Sequence, residues 1–192
     1  MGVLPIRHKL PMTHHLAIAG IPLPSSAPWF LTVIAIHVAA GIVAVIAGIV
    51  AMLSAKRAGR HPRAGAVYYW SLVIVCLTMA VVVIYRWPID VGLGLLGLLA
   101  FGTAFVGRQA RRRARSGWEC VHIPGMGVSY IALLTAFYVD NGSHLPVWDR
   151  LPPVAFWLLP SAIGLPILGF VWWKRCPPTK RTTRRRLLET VG

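Results

Sequence analysis

The chain has 192 residues, of which 56% are hydrophobic and only 13% charged, with a mean hydropathy of +0.65. A water-facing surface needs more charge than this, so an ordinary soluble domain is excluded. The net charge of +15 points to nucleic acid only until its distribution is read, for four, five and seven of the twenty Lys and Arg fall in segments 54–65, 108–119 and 174–186, the short gaps between long apolar blocks. Basic residues in alternate gaps are the positive-inside pattern of a multi-pass membrane protein, not a nucleic-acid surface.

Residues 1–28 form a proline-punctuated tail with no apolar core ahead of Trp29, so it is not read as a cleavable signal peptide. His8, His14 and His15 lie in this tail. The first predicted span is 29–53. His37 sits in it about 12 Å from the outer end at 1.5 Å per residue. His37, Gly41, Ala44 and Gly48 share one helical face, where small residues let another helix or a flat cofactor approach. A basic loop follows, and His61-Pro62 opens the second span, 62–85. Tyr68, Tyr69 and Trp70 near its inner end, with Tyr85 and Trp87 at its outer end, read as interfacial anchors.

The third span, 91–107, is glycine-rich and has no ionisable residue, so it reads as a packing helix with Gly97, Ala100, Ala104 and Gly107 on one face. The fourth, 121–139, carries His122 at its inner end and places Gly125, Ser129, Ala132 and Ala136 on the same face. An outer loop with Asp140, Asn141, His144 and Asp149 leads to the fifth span, 154–173, where Pro160 and Pro166 suggest a kink. A basic tail, 174–192, ends the chain. The expected fold is an all-α integral membrane protein, a five-helix transmembrane bundle with its N-terminus outside and its C-terminus cytoplasmic, in a cell inner membrane.

Four histidines outside the tail fall at two levels, His61 and His122 at the inner interface and His37 and His144 in the outer half. Neutral imidazole is a good axial ligand for haem iron, and haem sites in bundles are built from side chains on facing helices. Two such pairs would suit a membrane cytochrome with haem b, or a divalent metal, at one or both levels. Each histidine also has a structural reading: His37 bonding a neighbouring helix, His61 capping or touching headgroups, His122 resting at the interface. His144 with Asp140 and Asp149 could ligate a divalent metal. Cys76, Cys120 and Cys176 give no disulfide framework, because the last two fall at the inner face, where thiols stay reduced. The acids Asp90, Glu119, Asp140, Asp149 and Glu189 are all placed in loops or the tail, which argues against a carrier with a buried carboxylate.

His37, followed by a basic loop and by His61, Gly65 and Tyr68 in a His-x-x-x-Gly-x-x-Tyr arrangement, then by His122, resembles a bacterial family of predicted multi-pass membrane proteins of unknown function. The stretch 122–141, with LPVW and WLLP after it, is similar to the second half of that family, and the resemblance covers roughly residues 30–170. Pro62 stands where an arginine is more usual. The resemblance implies an architecture and a set of histidines, with no settled activity. Three readings stay open: a histidine-ligated redox protein, a non-catalytic packing or accessory subunit of a larger membrane complex, and a small-solute transporter using the fifth span. In each, the partners are the lipid bilayer, anionic headgroups at the basic face, and another membrane protein or a second copy of the chain.

Overall fold

The computed structural model describes residues 17–18, 21–22, 27–56, 59–146 and 148–176, so most of the two predicted tails lies outside the described residues. A two-residue antiparallel ladder pairs β1 (Ala17–Ile18) with β2 (Ile21–Pro22). The rest is helical: α1 (Pro28–Leu53), α2 (Arg60–Tyr85), α3 (Val91–Arg113), α4 (Glu119–Asn141) and α5 (Pro153–Arg175). All five are long and apolar enough to cross a membrane. Short 3-10 turns at Gly142–His144 and Trp148–Arg150 join α4 to α5.

One helix runs well past the span expected of the sequence. α3 continues through Arg108 and ends at Arg113, with Ala114 in the left-handed conformation. Arginine is a good helix former, and cations in the last turn complement the negative end of the helix dipole, so the basic segment extends the span. The Arg108 guanidinium folds back over the Tyr69 ring, 4.3 Å from its centre. α5 runs on as one helix across Pro160 and Pro166.

Small residues line much of the interior beside a few large ones such as Phe30, Tyr68 and Leu72, and many large apolar side chains face outward. Ala44 and Ala104 are fully buried, and Ala40, Ala47, Ala100 and Ala132 nearly so, while Ile42, Ile46, Leu98, Ile163 and Phe170 are exposed. That is the inverse of a soluble bundle, and it suits lipid, which offers no hydrophobic drive for burying large side chains. α1 packs on α2, α3 on α4 and α4 on α5, with a narrower contact from α1 to α4. There the Tyr130 hydroxyl donates to the Val45 carbonyl at 3.3 Å, and its ring lies against Gly48. Tyr68 on α2 and Ser129 on α4, both buried, share a 2.6 Å hydrogen bond through the middle of the bundle.

The closest helix contact is backbone against backbone. A Cβ on Gly125 would lie 2.8 Å from Gly107 Cα and 2.8 Å from the Thr103 carbonyl oxygen. Gly125→Ala therefore forces α3 and α4 apart and should destabilise the protein by about 1–3 kcal/mol. Gly102→Ala, with open space where its Cβ would go, should be neutral or slightly stabilising by helix propensity. Unfolding of both variants in mixed detergent checks the contrast.

Candidate functional site

His61 is in the first turn of α2, but its ring caps α1. The end of α1 beside it is the C-terminus, whose last carbonyls have no partner inside the helix. Lys56 Nζ donates to the carbonyls of Ala51 and Met52 at 2.8 and 2.7 Å, and His61 Nδ1 donates to Ala51 at 2.8 Å. His122 is in the first turn of α4, and its Nδ1 donates to the Gly107 carbonyl at 2.9 Å. The Gly107–Gly125 approach brings that carbonyl within reach. A carbonyl can only accept, so both rings carry a proton on Nδ1, and in the neutral ring Nε2 keeps its lone pair.

These two rings come together. Their centres are 6.4 Å apart and their planes nearly perpendicular, at 82°. Trp118 flanks His122 with its ring centre 5.5 Å away. One turn along α2, Gly65 has open space where a Cβ would stand. Lys56 and Arg111 lie within electrostatic reach of both histidines. The ammonium of Lys56 is itself held below its usual range, first by burial and then by the charge of Arg175. Cations from the ends of α1 and α3 therefore lie near the histidine pair, and Arg175 at the end of α5 lies near Lys56.

The outer level is arranged differently. His37 Nδ1 pairs with Thr78 Oγ1 at 2.8 Å, and Thr78 directs its own proton to the Ile74 carbonyl. No ring contact joins His37 to His144, which is exposed in the turn after α4; both instead lie within electrostatic reach of Asp140. Asp140 belongs to the last turn of α4 and not to a loop. Asp90, also placed in a loop by sequence, is buried at the N-cap position of α3 and sits 3.0 Å from Arg86 Nη1, without hydrogen-bond geometry at that oxygen. Among the described residues no group of three or more His, Cys, Asp and Glu is gathered to hold a metal ion, so His144, Asp140 and Asp149 are not assembled as one.

The cysteines overturn an expectation. Cys120 and Cys176 are joined in a disulfide with their Cα atoms 5.7 Å apart, and only Cys76 is free. The bond closes 56 residues of chain and ties the first turn of α4 to the residue after α5. Nothing in the local sequence marks this pair, since its two members meet only once α4 and α5 are packed antiparallel. Tyr68–Ser129 escaped sequence reading for the same reason.

Compared with protein-family models, with curated proteins and with solved structures, the chain matches none. The geometry itself can be checked in the rings. In alkaline buffer, nitrogen-15 spectra of histidine-labelled protein should show His61 and His122 as Nδ1–H tautomers with bare Nε2. Protonated Nε2 in either ring would contradict the carbonyl bonds described above.

Proposed function

We propose that this chain is a bacterial inner-membrane redox protein that binds one haem b between His61 and His122, with its basic end on the cytoplasmic side. The observation that carries the reading is the 6.4 Å separation of the two ring centres. Two imidazoles that both ligate one metal through bonds of about 2.0–2.1 Å stand a comparable distance apart. In the neutral rings both Nε2 atoms keep their lone pairs, and both Nδ1–H groups are anchored on backbone carbonyls, the outer support that orients a ligating histidine and raises its basicity.

Haem suits the donor set better than a free ion. A protein zinc site takes three or four protein ligands, and here no third ligand of the usual kinds joins the pair among the described residues. A porphyrin brings nitrogen ligands of its own, so that His61 and His122 would be the residues that hold a haem. Gly65 leaves room beside His61, and Lys56 and Arg111 offer positive charge to the two propionates that haem b carries. When bound, such a haem would cycle between ferric and ferrous states by one electron. The chain's own part is to fix both rings, supply counter-charge and shield the pair with Trp118. Orientation follows from the positive-inside distribution of the Lys and Arg residues.

The test is a visible spectrum of protein expressed with haem in excess and purified in mild detergent, before and after dithionite. A Soret band that shifts on reduction is expected. His61→Ala and His122→Ala should each lower the haem retained per protein by at least about tenfold, whereas His37→Ala and His144→Ala should retain it. A preparation without a Soret band would sink the haem reading. Stoichiometric zinc in its place would reassign the same pair to a metal.

A further inference from the structure

The Cys120–Cys176 disulfide lies at the basic end of the bundle. Cys120 is the second residue of α4, and Cys176 follows Lys174 and Arg175 directly. The positive-inside rule puts that end in the cytoplasm, where glutathione and thioredoxin systems keep structural disulfides from persisting and those that do form are transient, catalytic or redox-sensing. A disulfide there needs a reason to open and close. We propose that Cys120–Cys176 is an exchangeable redox couple, reduced by a small dithiol reductant protein that attacks Cys176. The inference rests on the orientation given under Proposed function, and not on the haem.

Several features fit exchange. Both cysteines are half-exposed, and Arg175 beside Cys176 is exposed, so a partner's thiolate can reach the bond. The two sulfurs are not equivalent. Cys120 sits at a helix N-terminus, where the dipole stabilises a thiolate, and Arg111 reaches His122 in the same turn. That makes Cys120 the better leaving group and directs attack to Cys176. In the first step the reductant's thiolate bonds to Cys176 Sγ, the disulfide breaks, and its electron pair leaves on Cys120 Sγ. In the second step the reductant's other thiolate attacks its own sulfur in the mixed disulfide and releases Cys176 as a thiolate. The reductant ends as an internal disulfide, both cysteines take up protons, and two electrons have passed to the chain.

Opening the bond removes the covalent tie between the start of α4 and the end of α5. What remains beside it is the hydrogen bond from Trp172 Nε1 to the Cys120 carbonyl, 3.1 Å long and exposed. His122 is two residues from Cys120 in the same helical turn.

The experiment uses the full chain in detergent with a dithiol reductant protein whose resolving cysteine has been removed, and the denatured chain as a positive control for attack. A covalent adduct mapping to Cys176 is expected. It should vanish in Cys120→Ser and in Cys176→Ser and persist in Cys76→Ser and in haem-free His61→Ala. An adduct on Cys120, or none with native protein while the denatured chain reacts, would overturn the proposal and leave a structural staple. Orientation is read separately from Ser54→Cys in a background with all three native cysteines changed to serine. A membrane-impermeant maleimide should label it in inverted vesicles only. Labelling in right-side-out vesicles instead would place the disulfide in an oxidising compartment and remove the reason for exchange.

Discussion

The approach of α3 to α4 at Gly107 and Gly125 is the constraint on which most of the basic end depends. Two backbones meet where neither residue has a side chain, and that distance puts the Gly107 carbonyl beside His122 Nδ1. In lipid a helix cannot recover stability by burying large apolar groups, because the alternative environment is as apolar as the interior. Close packing of small residues and hydrogen bonds between helices do the work instead. The alanine-lined interior, the Tyr68–Ser129 bond and the Tyr130–Val45 bond belong to the same economy. With α3 and α4 fixed, the start of α4 is fixed too, and with it Cys120, His122 and the flanking Trp118.

The histidines show how a structural role and a ligating one can share a ring. His61 satisfies a carbonyl at the end of α1 that would otherwise lack a partner, and this alone would justify its presence. Yet the same bond uses only Nδ1 and leaves Nε2 bare. His122 makes its bond to a carbonyl inside α3, four residues before Arg111 and well short of the helix end. That carbonyl already has its helical partner, so no orphan needs capping there. A purely structural account therefore covers His61 better than His122, and the meeting of the two rings is left unexplained by capping.

Much of the fold was legible in the sequence, because hydropathy and charge placement are local signals. Five apolar blocks separated by basic or turn-rich gaps define five helices without any knowledge of packing. The small-residue faces were legible in part: Ala44, Gly48, Ala100, Ala104, Ser129 and Ala132 are buried as helical periodicity suggests, but Gly41 and Gly97 have open space beside them. Periodicity finds a face without saying which part of it touches a neighbour. The helix α3 runs past its expected span at the C-terminal end, because hydropathy stops at the first arginine while helix propensity does not. Long-range pairs are another matter. That His61 and His122 could meet was suggested by their common depth, but depth alone suggested His37 and His144 equally, and those two are linked only through the field of Asp140. The Cys120–Cys176 bond ran against the compartment argument that charge itself supplied.

The charge at the basic end carries one more consequence. Lys56, Arg111 and Arg175 interact with the histidine pair or with one another, and Glu119 is the one acid that the sequence supplies between residues 91 and 139. All three of these cations are exposed. Like charges held together in such a setting repel, and a protein accepts that cost only where something negative offsets it. Anionic headgroups can neutralise cations that reach the membrane surface.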